Sequence, residues 1–226
     1  MGKDKKIRVL VGCPTSDLKA YCLKEYSDAI KSLTYKDYDI LIVDNSKSQA
    51  YSKKMKSLGL NVMKDEWNEN ARERIVKSRN IIREKALNYD YLLSLEQDVI
   101  PPRDIIERML EHKEKILTGI YFTYKEEGKT LVPLLWVKGD GGIRNLTEEE
   151  AMQDKTMEAE AAGLGCMLIA KEVLEKVKFR YEKESNSFDD MWFCQDVKEK
   201  GYSIAADTGI RCKHLIKKWS WQGIRK

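Results

Sequence analysis

A chain of 226 residues with 42% apolar side chains can build one sizeable core, and its length favours one large α/β domain over two small ones. The 41 basic and 37 acidic residues leave a formal charge of only +4, which argues against nucleic acid as a partner. No apolar run approaches the roughly 18 residues of a membrane span and no secretory leader pattern opens the chain, so a cytoplasmic protein is expected.

Ile7 to Val11 reads as the first strand, and Gly12-Cys13-Pro14-Thr15-Ser16 as a loop whose Thr or Ser can cap the next helix. Apolar residues at helical spacing place that helix over Asp17 to Ser32. Asp39 to Val43 is a second strand, ending in Asp44-Asn45-Ser46, and completes a βαβ unit. A helix from about Gln49 to Leu58 stops at Gly59, and a short strand at Leu60 to Met63 follows. Arg72 to Leu87 is helical, with polar Ser78-Arg79-Asn80 in its middle.

Tyr91 to Leu95 is a short, nearly continuous apolar run, the pattern of a strand buried in a parallel sheet. It breaks into Glu96-Gln97-Asp98, and Pro101-Pro102 prevent it from continuing. Strand alternation would point Glu96 and Asp98 the same way at the strand's carboxyl end, where open α/β sheets collect ligands. Two carboxylates there suit Mg²⁺ or Mn²⁺ holding a diphosphate; the plainer reading is a solvated acidic turn.

Beyond Pro102 a helix spans about Arg103 to His112, and Ile116 to Phe122 reads as a strand. Leu131 to Val137 is a strand across the turn at Glu126 to Lys129, and Gly139-Asp140-Gly141-Gly142 is a tight turn. Thr147 to Glu150 has the form of a capping box, whereas Asp154 to Ala161 fits either a helix or a loop. Gly163-Leu164-Gly165-Cys166 leads into a strand at Met167 to Ala170 and a helix at Lys171 to Lys176. Phe188-Asp189-Asp190 precedes a helix over Met191 to Lys200; Tyr202 to Ala206 and Ile210 to Leu215 are strand-like. The five cysteines are odd in number and lack C-x-x-C spacing, so they read as reduced, buried thiols.

Several polar residues carry two readings. His112 sits in a charged helix as a surface residue, while His214, in an alternating segment, is either structural or a metal ligand through neutral imidazole. Asp189-Asp190 either complements a helix dipole or supplies a general base. Asp44 forms a turn or accepts from a nucleotide; Arg79 packs at a core edge or meets a phosphate or carboxylate. No P-loop and no G-x-G-x-x-G follows the first strand, which weakens ATPase and dinucleotide readings.

The ordered motifs V-G-C-P-T, I-V-D-N-S, S-R-N, L-E-Q-D, G-L-G-C-M-L-I and F-D-D-M-W-F-C, with a late histidine, resemble glycosyltransferase family 2. These are nucleotide-sugar-dependent enzymes of the GT-A fold, and the resemblance runs from Ile7 to His214. It implies a Rossmann-like, mostly parallel central sheet flanked by helices in a single domain over residues 1–216, with 217–226 as a basic, Trp-containing tail. It further implies a nucleoside-diphosphate-sugar donor held by Pro14, Thr15, Asp44, Arg79, Glu96 and Gln97. A divalent cation, Mn²⁺ or Mg²⁺, is implied on Asp98, with Glu96 and His214 assisting. The family's D-x-D is Glu96-Gln97-Asp98 here, one methylene longer at its first position, so Asp98 is the firmer ligand. Gly163, Gly165 and Cys166 fall on the acceptor side, and Asp190 matches the family's base, with Asp189 secondary. The reaction implied is sugar transfer to an acceptor hydroxyl by single displacement, with inversion; sugar, base and acceptor are left open.

Two other classes compete. A nucleotidyltransferase would carry a basic, glycine-rich loop after the first strand, and Val11 to Thr15 lacks both features. A non-catalytic nucleotide-binding module of the same fold would not need Asp98, Asp190 and His214. The tail's two tryptophans and four basic residues among ten fit either a cover over the cleft, the favoured reading, or peripheral membrane contact.

Overall fold

The computed structural model describes residues 6–125, 130–185 and 187–216. The tail expected to cover the cleft and the turn at 126–129 lie outside these residues. The first half alternates strands and helices: β1 (Val9–Thr15), a 3₁₀ helix (Asp17–Cys22), α1 (Leu23–Lys31), β2 (Tyr38–Asp44), α2 (Ala50–Ser57), β3 (Val62–Lys64), α3 (Ala71–Ala86) and β4 (Tyr91–Leu95). Then come β5 (Val99–Ile100), α4 (Ile105–Glu111), β6 (Ile116–Ile120), β7 (Phe122–Lys125), β8 (Thr130–Pro133), β9 (Leu135–Gly139) and β10 (Gly142–Asn145). The chain continues through α5 (Glu148–Ala151), β11 (Thr156–Ala159), β12 (Ala161–Ala162), β13 (Cys166–Ala170), α6 (Lys171–Lys176), α7 (Asp189–Glu199), β14 (Ile204–Arg211) and β15 (Lys213–His214).

The central sheet has eight strands in the order β11-β14-β6-β13-β4-β1-β2-β3. β1, β2, β3, β4, β6 and β14 share one direction, and β13 and β11 run against them. Helices cover both faces, which is why the central strands read as unbroken apolar runs. In β1, Leu10 packs with Ile82 of α3 on one face, while Val9, Val11 and Cys13 pack with Tyr26 and Ile30 of α1 on the other. The expected α/β sheet is therefore present, with one reversed strand, β13, inserted at its centre.

Local chemistry accounts for several element limits. Thr147 and Glu150 form the reciprocal capping box that opens α5. Asn70 caps α3 by accepting from the N–H groups of Arg72 and Glu73. Ser16, in contrast, makes no capping bond; the Ser46 hydroxyl accepts from the Asp17 N–H at 2.8 Å instead. The helix expected from Asp17 begins as 3₁₀ and becomes α-helical only at Leu23. The segment Asp154 to Ala161, which fitted helix or loop by pattern, holds strand β11 and the start of β12. They are held by pairing with β14 and β9, a tertiary signal that local periodicity does not contain. His112 is not a plain surface residue, because its Nε2 lies 2.9 Å from Asp207 Oδ2.

Candidate active site

β1 and β4 lie side by side, and the chain leaves their carboxyl ends around a cleft of about 200 Å³. α3 closes tightly on this edge because residue 12 is glycine; a Cβ there would overlap Ile82 and Leu92. Pro14, Thr15, Lys19, Arg74, Glu96 and Gln97 meet on the cleft wall. Four of these belong to the expected donor set. Gln97 is buried and ties the wall together: it accepts from the Thr15 hydroxyl and donates to the Lys19 carbonyl at 2.8 Å and to Tyr51 Oη at 2.6 Å. Asp44 sits behind the wall, opposite Thr15 in the β1–β2 register, and is wholly buried. Its Oδ1 accepts from the Ser46 N–H at 2.9 Å, its Oδ2 has no hydrogen-bond partner, and its neighbour Asn45 reaches the cleft instead.

Strand alternation ends with β4 at Leu95. Glu96 to Val99 is a turn closed by a 2.9 Å bond from the Val99 N–H to the Glu96 carbonyl, so Glu96 and Asp98 face different partners. Asp98 lies behind the cleft wall, against Lys19. Its Oδ2 is ion-paired with Lys19 and lies 3.3 Å from the Tyr21 hydroxyl and 3.4 Å from His214 Nε2. Its Oδ1 is buried without a hydrogen-bond partner. Burial pushes this carboxyl up, but the His214 contact and the Lys19 charge outweigh it and hold it down at about 2.

His214 arrives from 116 positions away because β15 pairs antiparallel with β5, which places it opposite Val99. The Leu215 N–H then locks onto the Asp98 carbonyl at 2.7 Å. His214 Nδ1 lies 2.7 Å from the Phe122 carbonyl, which can only accept, so Nδ1 carries a proton and Nε2 donates to Asp98 when the ring is charged and presents its lone pair when the ring is neutral. A histidine that donates through Nδ1 to a carbonyl is poised to bind a metal through Nε2. Among the described residues, no three His, Cys, Asp or Glu side chains are gathered as a metal cage. Asp98 and His214 therefore fit a cation only as a two-donor site completed by water and phosphate oxygens, the usual arrangement for Mg²⁺.

Arg79 lies behind Glu96, another residue of the cleft wall. This guanidinium, on the buried face of α3, is 4% exposed. It pairs with Asp189, donates to Glu96 Oε1 at 2.5 Å and donates to Ser94 Oγ at 3.1 Å. It thus joins the strand-end turn to the first residue of α7. Asp190, next in the helix, accepts only from the Met191 N–H, at 2.8 Å, among the hydrogen bonds of the described residues. Burial and then the neighbouring Asp189 charge push the Asp190 carboxyl up to about 6, against weaker pulls from the Met191 N–H and Arg79. A larger cleft of about 500 Å³ runs along α7 from this point, lined in part by Ile143, Met191, Trp192 and Lys198.

Gly163 and Gly165 are glycines for a specific reason. A Cβ at either position would collide with the ring of Tyr121, whose hydroxyl accepts from the Gly165 N–H at 3.0 Å. Tyr121 in turn meets His214 edge-on, with ring centroids 5.3 Å apart. Cys166 is fully buried, its sulfur 3.3 Å from that of Cys212. The three residues expected on the acceptor side thus form the packing behind the Asp98 end. Lys19, Tyr21, Arg74 and Tyr121 were not singled out from sequence. A lysine four residues past the first strand is a usable signal for Lys19; the others depend on tertiary contacts.

No family model matches the chain, and no curated protein matches it in sequence. Its fold is that of solved glycosyltransferases. GalNAc-T7, solved with UDP, GalNAc and Mn²⁺, superposes with a TM-score of 0.68 at 12% identity over 98% of this chain. TarS of S. aureus superposes with a TM-score of 0.62 at 15% identity over 93% of this chain. This chain spans less than half of either, 46% and 37% respectively. A197 from STIV is closer in length: the match covers 93% of this chain and 87% of that one, with a TM-score of 0.51 at 15% identity. The likeness establishes the GT-A fold.

Proposed function

We propose that this protein transfers a sugar from a nucleoside-diphosphate-sugar to an acceptor hydroxyl, with inversion and with a divalent cation at Asp98 and His214. The observation that carries the reading is the division of labour among the carboxylates near Arg79. Arg79 neutralises Glu96 and Asp189, and Asp190 is left with a raised affinity for a proton. A carboxylate titrating near 6 is suited to accept a hydroxyl proton at neutral pH.

In the reaction the acceptor oxygen forms a bond to the anomeric carbon as the bond to the diphosphate oxygen breaks. Asp190 takes the acceptor's proton. Pro14, Thr15 and Asn45 bound the nucleoside end of the cleft, and the Arg74 cation lies on the same wall. Asp44, whose Oδ2 has no hydrogen-bond partner, is the proposed acceptor for a donor group behind Thr15. The divalent cation, when bound, neutralises charge developing on the departing diphosphate. The cleft along α7 starts beside the base and suits the acceptor's approach.

The described residues include no helix long and apolar enough to cross a membrane. All five cysteines are free and buried, which supports a reducing, cytoplasmic setting as part of this reading. The test is a panel of nucleotide-sugars and nucleoside triphosphates, followed by thermal shift with and without Mn²⁺. Stabilisation by one nucleotide-sugar, enhanced by Mn²⁺ and lost in Asp98→Ala, is the expected outcome. Stabilisation by triphosphates alone would turn the assignment to nucleotidyl transfer.

A further inference from the structure

Asp98 already has a cation. Lys19 ion-pairs with its Oδ2, and the lysine side chain is 36% exposed, reaching its ammonium from the cleft wall into a site whose other member is only 4% exposed. The Lys19 backbone is fixed independently of that contact: its carbonyl accepts from Gln97, and its N–H donates to the Ser16 carbonyl at 2.9 Å. The backbone is thus anchored without the side chain, which lines the cleft and joins Asp98 only through its terminal ammonium. Tyr21 and His214 also crowd Oδ2, so the oxygen facing the cleft carries three contacts while Oδ1 has no hydrogen-bond partner.

A divalent ion at Oδ2 would stand beside the Lys19 ammonium. Two cations at one carboxylate repel, and that repulsion is large in a site shielded from water. We propose that Lys19 is the resident counter-cation of Asp98, which a divalent ion must displace, and whose freed ammonium then engages the donor's diphosphate. This rests on the proposed cation site at Asp98 and His214. It gives the protein an ordered sequence: without metal, Lys19 neutralises Asp98; with metal, the same side chain adds a positive group to the cleft that Arg74 already lines. A lysine suits this better than an arginine, because its ammonium is a compact point charge on a flexible stem.

The test measures Mn²⁺ binding to the protein without nucleotide, by calorimetry or by loss of the free-ion EPR signal, in wild type, Lys19→Gln, Lys19→Arg and Asp98→Ala. Lys19→Gln should bind Mn²⁺ on the order of tenfold more tightly than wild type. Lys19→Arg, which keeps the charge, should not. With Mn²⁺ saturating, Lys19→Gln should bind UDP or GDP on the order of tenfold more weakly. Unchanged or weaker Mn²⁺ binding in a folded Lys19→Gln would overturn the proposal. So would metal-independent UDP or GDP binding that Lys19→Gln abolishes, since Lys19 would then be the permanent cation. If wild type binds Mn²⁺ and Asp98→Ala does not, a null result in Lys19→Gln removes this inference alone. If no variant binds Mn²⁺, the cation site itself is gone.

Discussion

Two aspartates of the candidate site are held in opposite conditions. Asp98 lies among Lys19, Tyr21 and His214, and its carboxyl is held at about 2 despite burial. Asp190, the second residue of α7, lies beside another carboxylate, and burial and that neighbour's charge lift it to about 6. Both sit near cations; what differs is allocation. Arg79 is the cation close to Asp190, and Asp189 and Glu96 have already claimed it. The result is one carboxylate built to stay charged and one able to take a proton, the separation that acid–base chemistry at neutral pH requires.

Removing the proton acceptor tests this contrast most severely. Asp190→Asn keeps the shape and removes basicity, so turnover should fall by roughly 10²–10⁴ while donor affinity stays near wild type. Steady-state and single-turnover rates would show it; a larger loss in Asp189→Asn would reverse the two roles. Next in size is Arg79→Leu, which leaves Glu96 and Asp189 uncompensated. It should destabilise the fold by about 3–5 kcal/mol in urea unfolding.

The contrast also has a pH signature in the metal-free protein. Because the folded carboxyl of Asp190 lies above its ordinary value, its contribution to stability is full below that ordinary value and is lost as pH rises through about 6. Asp190→Asn should therefore stabilise the protein at pH 8, by up to about 3 kcal/mol, and flatten the fall in stability between roughly pH 4 and 6. The sign for Asp98 is opposite: its contribution is present above the ordinary carboxylate range and lost as pH falls through about 2. The smallest expected effect is at the packing behind the Asp98 end. Gly165→Ala pushes a methyl into Tyr121 and should cost about 1–3 kcal/mol, with weaker Mn²⁺ binding as His214 shifts.

Much of this was readable before any coordinates. Apolar runs located β1, β2 and β4, and the polar interruption in α3 identified Arg79. The acidic turn after β4 and the Asp pair opening α7 were visible as motifs. What the pattern missed has a common physical origin. Glu96 and Asp98 diverge because the strand stops at Leu95, three residues short of Asp98, where alternation would have aligned them. Lys19, Tyr21 and Tyr121 join the site through contacts made across 77 positions or more, or 44 in the case of the Tyr121–Gly165 bond. Such contacts depend on the β5–β15 pair and on helix placement, which no local window encodes.

The central claim is that the candidate site separates a carboxylate that holds a cation from one that accepts a proton. Carboxyl ¹³C NMR titration of the metal-free protein, assigned with Asp98→Asn and Asp190→Asn, reads both groups at once. The account predicts that Asp190 titrates near 6 and Asp98 near 2. Two carboxyls titrating together near the ordinary aspartate value of about 3.9 would contradict it.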